Sequence, residues 1–245
     1  MRPTTLDGDW NRLYTDFPEV YDEFASVAHV PRPVDVIADR FRIDGKAVVD
    51  VGAGSGRSTI ELAGRARLVV GIEPNPSMLA VARQRVAQAG VENVQLLQGD
   101  AAGIPCADES ADVVACLTTV FWPPEKVIPA FVAEARRVLR DGGLLISVNT
   151  HPDWYGGELR DLVSGDAKYE AGVSQAFAQA GLGTFDFESL QDYGTTARAV
   201  ATFGFIFGGR AIEHLETTQQ TTIAWRWRAS YARKSELATP SVPSG

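Results

Sequence analysis

Between Lys46 and Val148, short apolar runs alternate with longer runs of helical periodicity. The short runs are typical of strands that are buried on both faces of a sheet. They predict strands at Ala47–Val51, Leu68–Glu73, Val94–Gln98, Asp112–Leu117 and Leu144–Asn149. The longer runs predict helices at Ser58–Arg65, Pro76–Ala89 and Pro124–Leu139. Because strands and helices alternate, we expect βαβ units around a parallel sheet and an α/β fold class.

Further elements flank this core on both sides. Trp10–Val30 and Pro33–Arg42 have helical periodicity and are separated by Pro31, which predicts an N-terminal helical cap. Downstream, the pattern predicts a helix at Gly157–Ala180, a strand at Thr184–Tyr193, a helix at Ala197–Leu215 and a strand at Thr221–Tyr231.

The chain contains no stretch with the composition of an interdomain linker. We therefore expect one domain over residues 1–235, made of the cap (1–42), a core (43–150) and a C-terminal region (151–235). Residues 236–245 are rich in Pro, Ser and Thr, which predicts a flexible tail.

Composition and charge narrow the possible partners. The 245 residues carry a net charge of −8, which repels the phosphate backbone of a nucleic acid. Cys106 and Cys116, with three scattered histidines, match neither a disulfide framework nor a zinc spacing. No apolar run approaches the ~20 residues of a membrane span. We expect a cytoplasmic protein without a bound metal, with neither nucleic acid nor membrane as partner.

The strand at Ala47–Val51 continues directly into a glycine-rich turn and then a helix. Asp50, Gly52, Gly54 and Gly56 give the spacing Asp-x-Gly-x-Gly-x-Gly. Glycines permit positive φ and let a ligand approach the backbone, whose N–H groups favour an anionic portion of that ligand. A dinucleotide fingerprint needs a glycine where Arg57 stands, and no Tyr-x-x-x-Lys pair is present. Both observations disfavour a nicotinamide-dependent oxidoreductase.

This loop resembles the first motif of the class I S-adenosylmethionine-dependent methyltransferases. Two later segments resemble further motifs of that family: Glu73 ends the second predicted strand, and Asp100 follows the third. The likeness covers about residues 40–150, and the flanks are loosely similar to small-molecule methyltransferases with a type 11-like domain. The resemblance implies a Rossmann-like, doubly wound, seven-stranded and mostly parallel sheet. It implies S-adenosylmethionine as cofactor and S-adenosylhomocysteine as product. The implied cofactor-binding residues are Asp50, Gly52, Gly54, Gly56, Glu73, Pro74, Asp100, Ala101 and Thr118.

The resemblance assigns parts of the cofactor to these positions. The glycine turn receives the methionine portion, Glu73 binds both ribose hydroxyls, and Asp100 contacts the adenine amine. The predicted strand ends agree, because doubly wound sheets bind ligands beyond the carboxyl ends of their strands. Two alternatives stay open: Asp50 orients the loop instead of touching the cofactor, and Asp100 caps its own turn. We expect Glu73 to be accessible to solvent when the site is empty.

Methyl transfer from a sulfonium releases a neutral leaving group, so alignment supplies much of the acceleration. His151, directly after the strand at Leu144–Asn149, is the candidate base for an acceptor that must lose a proton. The candidate acceptor-binding residues are Tyr14, Tyr21, Trp122, Trp154 and Tyr155, whose rings suit an apolar small molecule. Phe203 and Phe207 are at helical spacing and either line such a pocket or pack in the core.

The sequence therefore predicts methyl transfer to an oxygen or nitrogen atom of a small-molecule acceptor. A cyclase of the same fold that binds the cofactor without methylating is one alternative, and a non-catalytic binding protein is another. We expect the chain to be a monomer or a homodimer.

Overall fold

Parallel strands form the centre of the fold. The computed structural model describes residues 5–164 and 167–237, and its strands are β1 (His29–Val30), β2 (Ala47–Val51), β3 (Leu68–Glu73), β4 (Val94–Gln98), β5 (Ala111–Leu117), β6 (Leu139–Thr150), β7 (Gly183–Asp192) and β8 (Thr222–Arg233). These strands form one sheet in the order β1-β7-β8-β6-β5-β2-β3-β4. The run from β6 to β4 is parallel, whereas β1 pairs antiparallel with β7.

The helices are α1 (Trp10–Asp16), α2 (Pro18–Ser26), α3 (Pro33–Phe41), α4 (Arg57–Ala63), α5 (Pro76–Ala89), α6 (Pro124–Val138), α7 (Lys168–Gln179), α8 (Thr196–Ala199), α9 (Phe205–Phe207) and α10 (Gly209–Thr218). A π-helical turn at Val200–Gly204 joins α8 to α9. No helix in the described ranges is long and apolar enough to cross a membrane.

Within the described residues the sheet has eight strands, one more than the predicted seven. The additional strand is β1, at the end of a segment that we expected to be helical. Val30 directly precedes Pro31, and a residue before proline disfavours the helical conformation. The same predicted helix is also divided near its start, because Pro18 begins α2.

The predicted helix at Gly157–Ala180 forms only in its second half, as α7. Gly156 and Gly157 both adopt positive φ at its expected start, a conformation that a right-handed helix does not contain. Of the predicted tail, only Glu236 and Leu237 fall within the described residues.

The described residues fall into two compact units. The core unit comprises residues 34–149, 169–185 and 228–237, and the second unit comprises the other described residues. The division of a single domain into cap, core and C-terminal region stays a prediction.

Strand register brings the carboxyl ends of the core unit's parallel strands to one edge. Val51 pairs with Ile72, and Glu73 pairs with Gln98, so β2, β3 and β4 end almost level. Their positions are fixed by a buried apolar cluster that includes Val114, Phe131 and Phe177. The loops that follow these strands therefore start from a rigid base.

Candidate functional site

The glycine loop after β2 is tied to the neighbouring strand by its backbone. Gly52 N–H and Ala53 N–H both donate to Ile72 O, at 2.8 and 2.9 Å. Thr119 Oγ1, in the segment after β5, donates to Val51 O at 2.8 Å. The end of β2 is thus held from both of its neighbours in the sheet.

Thr119 explains why position 52 is glycine. Gly52 has φ +80°, and a Cβ there would overlap the side chain of Thr119. We predicted the adjacent Thr118 as a site residue and missed Thr119, because no sequence pattern shows which side chain packs on the loop. Thr118 itself is exposed and has φ +52°, which is rare for a β-branched residue and is typical of functional sites.

Glu73 holds the glycine loop in place. Its Oε2 accepts from Gly54 N–H and its Oε1 from Asn75 N–H, both at 2.9 Å. The residue is only 8% exposed. Our expectation that Glu73 is accessible in the empty site is therefore wrong: the carboxylate is occupied by backbone donors that the sequence pattern does not reveal.

Asp50 is fully buried beneath the loop and anchors the start of α4. Its Oδ2 accepts from Ser58 Oγ at 2.8 Å and from Thr59 Oγ1 at 2.6 Å. Burial raises the pKa of Asp50; the two hydroxyl groups oppose this rise, and the charge of Glu73 adds to it. Oδ1 has no hydrogen-bond partner among the described residues. This geometry supports the loop-orienting role, and it leaves one buried acceptor oxygen available.

Asp100, after β4, forms its own turn. Its Oδ1 accepts from Ala102 N–H at 2.8 Å, and its backbone forms a bridge with Gly103. The side chain is exposed, and Ala101 beside it packs against the core cluster. Pro74, which follows Glu73, is exposed on the same edge of the sheet.

The remaining glycines of the loop differ in their surroundings. A Cβ on Gly54 would meet nothing closer than 4.0 Å, so the space above this residue is open. Gly56 has φ +87° and stands before the first residue of α4, where a Cβ would lie 3.1 Å from Ala82 Cα.

The hydrogen-bond acceptors and the open space at this edge of the sheet fit the cofactor implied by the sequence. The buried Asp50 Oδ1 is an unused acceptor, the Asp100 carboxylate is exposed, and the space above Gly54 is open. S-adenosylmethionine carries an ammonium group, a ribose diol and an adenine amine, all of which donate hydrogen bonds. Carboxylates accept such bonds strongly, particularly from charged donors.

Trp122 lies in the same unit, on the loop between β5 and α6. Its side chain is 72% exposed, and Val120 two positions earlier is also exposed. The intervening Phe121 is buried, and its N–H donates to Tyr169 Oη at 2.8 Å. This loop thus has a fixed backbone with an exposed apolar side.

His151 belongs to the second unit and is only 5% exposed. Its Nδ1 accepts from Asp153 N–H at 3.1 Å, and its Nε2 lies 3.2 Å from Asp186 Oδ2. Both ring nitrogens are therefore engaged by protein groups. These contacts indicate that His151 stabilises the turn after β6. Its role as a base stays a prediction.

The other predicted acceptor-binding residues also lie in the second unit. Tyr155 Oη accepts from Trp10 Nε1 at 2.9 Å, and Trp154 lies under the guanidinium of Arg160, 5.0 Å from ring to Cζ. Tyr21 is half-buried in α2. Tyr14 lies in α1, and its side chain is outside the described part of the structure. Their roles in acceptor binding stay predictions.

Phe203 and Phe207 pack in the core of the second unit. Both are fully buried, with ring centroids 4.4 Å apart, and both lie within 6.3 Å of the Trp225 ring centroid. The core alternative is therefore the correct one for these two residues.

Comparison with known proteins agrees with the geometry of the core unit. Residues 48–143 match the sequence model of the methyltransferase domain family. Over 112 residues the chain is 38% identical to demethylmenaquinone methyltransferase of Tropheryma whipplei strain Twist, and the alignment covers 44% of each protein. The chain thus spans less than half the length of this curated relative.

Solved structures show the same fold over most of the chain. A SAM-dependent methyltransferase from Aquifex aeolicus has a TM-score of 0.55 at 16% identity, covering 82% of this chain and 89% of that one. The [4+2]-cyclase SpnF has a TM-score of 0.59 at 16% identity, covering 94% of this chain and 97% of that one. Residues 48–143 are thus similar to the methyltransferase domain family, and the chain shares its Rossmann-like fold with these solved structures.

Proposed function

We propose that the chain transfers a methyl group from S-adenosylmethionine to an oxygen or nitrogen atom of a small-molecule acceptor. The observation that carries the proposal is the meeting of the glycine loop, Glu73 and Asp100 at the level ends of β2, β3 and β4. In a doubly wound sheet this edge is where ligands bind.

The residues of the core unit have distinct tasks in this proposal. Gly52, Gly54 and Gly56 receive the methionine portion, because they let a ligand approach the backbone. Glu73 accepts from the ribose hydroxyls while it keeps its backbone donors, since each carboxylate oxygen has two lone pairs. Asp100 and Ala101 contact the adenine.

Asp50 and Thr118 are assigned to the methionine end. Asp50 Oδ1 is the acceptor for the ammonium group, and the ionised form of this carboxyl binds a cation best. Thr118 borders the site from the end of β5, and Pro74 borders it from the end of β3.

The bound cofactor supplies an electrophilic methyl group on a sulfonium. The chain contributes alignment and exclusion of water, which account for much of the rate in an in-line displacement. We assign Trp122 to the acceptor, because its exposed ring stands on a fixed loop after β5, and an aromatic surface suits an apolar molecule.

The cyclase alternative is a second candidate, because a [4+2]-cyclase shares this fold over nearly the whole chain. An assay with purified protein, labelled S-adenosylmethionine and a metabolite extract separates the two functions. Methyl transfer releases one S-adenosylhomocysteine for each labelled product. Tight cofactor binding without S-adenosylhomocysteine release would favour the cyclase, and absence of binding would overturn both.

A further inference from the structure

One face of α5 lies along the glycine loop. Met78, Ala82 and Arg85 are spaced four and three residues apart, which places them on the same side of a helix. A Cβ on Gly54 would lie 4.0 Å from Met78 Cε, and a Cβ on Gly56 would lie 3.1 Å from Ala82 Cα. Arg85 reaches the residue between these two glycines.

Arg85 Nη1 donates to Ser55 Oγ at 2.5 Å. Ser55 stands between Gly54 and Gly56, both of which have positive φ. Glycines have many accessible backbone conformations. A loop in which every second residue is glycine therefore depends on contacts with other segments to keep a single conformation. Glu73 supplies such a contact at Gly54 N–H, and Arg85 supplies one at the next side chain.

We propose that Arg85 is a positioning residue for cofactor binding, which acts through Ser55 to hold the glycine loop in its receiving conformation. This inference rests on the proposed function. In it, Arg85 touches no part of the cofactor; it lowers the conformational entropy that the loop loses on binding. Its effect therefore falls on cofactor affinity and on KM for the cofactor, and it spares kcat at saturation.

A set of variants isolates the contact. Arg85→Ala and Ser55→Ala remove it from either side, the double variant tests whether both act through it, and Arg85→Lys retains one donor. Arg83→Ala is the matched control, because Arg83 is exposed on the same helix two positions away. Calorimetry with S-adenosylhomocysteine gives the affinity, and steady-state assays give KM and kcat.

We expect Arg85→Ala and Ser55→Ala each to weaken S-adenosylhomocysteine binding by about threefold to tenfold, in keeping with a partly exposed charged hydrogen bond. The double variant should lose no more than either single one, because both remove the same interaction. Arg85→Lys should recover part of the loss, and Arg83→Ala should match the parent. Unchanged affinity in Arg85→Ala, or additive losses in the double variant, would overturn the proposal.

A measurement without ligand separates this inference from the proposed function. In the ligand-free protein, amide hydrogen exchange of residues 52–56 should be faster in Arg85→Ala and in Ser55→Ala than in the parent and in Arg83→Ala. Equal exchange in all four would show that Arg85 does not hold the loop. A parent that binds no S-adenosylhomocysteine would instead refute the proposed function, and the exchange data would still decide the role of Arg85.

Discussion

Glu73 holds the glycine loop and, in the proposed function, also binds the ribose. Its carboxylate accepts from Gly54 N–H and Asn75 N–H in the ligand-free chain, and the side chain is almost completely buried. In the proposed function, the ribose diol therefore shares a carboxylate that already accepts two hydrogen bonds from the backbone. Removing this side chain leaves two backbone donors without an acceptor, so stability and affinity should fall together.

We expect Glu73→Ala to lower the melting temperature of the ligand-free protein by about 3–10 °C, given the usual contribution of hydrogen bonds to charged groups. It should also weaken S-adenosylhomocysteine binding by at least about tenfold. Thermal unfolding and calorimetry check both effects. Glu92→Ala, an exposed glutamate before β4, is the control and should change neither. A Glu73→Ala protein with the parent's melting temperature would contradict the role in the loop.

Asp50 gives the core unit a specific dependence on pH. Burial raises the pKa of Asp50 above its ordinary value of 3.8, so the folded chain holds this proton more tightly than the unfolded chain. The unfolded state then binds fewer protons, and the free energy of unfolding contributed by Asp50 falls as pH rises from 3.8 to the raised pKa. Below this interval Asp50 is protonated in both the folded and the unfolded state. Above it Asp50 is ionised in both states, and its contribution to the free energy of unfolding falls no further.

Replacement of Asp50 by asparagine should remove this dependence. The amide oxygen of Asn accepts from Ser58 and Thr59 as the carboxylate does, and it carries no charge to bury. Relative to the parent, Asp50→Asn should therefore gain stability as pH rises from about 4 toward neutrality. Urea unfolding of both proteins over this range measures the difference. A difference that is constant with pH would refute the assignment.

At the scale of elements, the turn after β6 depends on His151. The ring accepts from Asp153 N–H and contacts Asp186, so His151→Ala should cost about 1–3 kcal/mol of stability. His151→Asn retains an acceptor oxygen for Asp153 N–H and should recover part of that loss, with kcat close to the parent's. The control is His214→Ala on α10. If kcat falls about hundredfold in both His151 variants while stability is unchanged, His151 is the base after all.

The helices and strands that the sequence predicted best are those whose apolar pattern or capping residues lie within or directly beside the element. β2, β3, β4 and α5 have the predicted bounds. Apolar runs mark the buried strands β2 and β3, and both ends of α5 carry capping residues. The strand ends, and with them the cofactor-site candidates, follow from these bounds. β1 and the first half of the helix predicted at Gly157–Ala180 were mispredicted, because Pro31 and the positive-φ glycines at 156 and 157 oppose a helix there.

Sequence patterns did not predict the contacts between residues that are far apart in the chain. Thr119 packs on Gly52, Arg85 binds Ser55, and Glu73 is buried by loop donors. Each contact joins segments that are 19 to 67 residues apart in the chain, and no periodicity or spacing links such segments. The sequence therefore predicts a candidate site at an edge of the sheet, and the structure identifies the contacts that hold its glycine loop.

At the scale of the whole molecule, charge distinguishes between two cofactors, a dinucleotide and S-adenosylmethionine. Both bind where a strand leads through a glycine-rich turn into a helix. The chain has a net charge of −8, and three of its acidic residues, Asp50, Glu73 and Asp100, lie at the candidate site. A dinucleotide brings a negatively charged pyrophosphate to such a site, whereas S-adenosylmethionine has a net positive charge, since its sulfonium and ammonium groups outweigh its one carboxylate. The field of the protein therefore favours the second ligand.

Thermal unfolding with each ligand tests this choice on the whole protein. S-adenosylhomocysteine at about 100 times its Kd should stabilise the native state by about 2.7 kcal/mol and raise the melting temperature by about 5–10 °C. NAD at the same concentration should leave the melting temperature unchanged, and Glu73→Ala should lose most of the response to S-adenosylhomocysteine. A rise with NAD that equals or exceeds the rise with S-adenosylhomocysteine would overturn the cofactor assignment, because only binding to the folded state shifts the unfolding equilibrium in this direction.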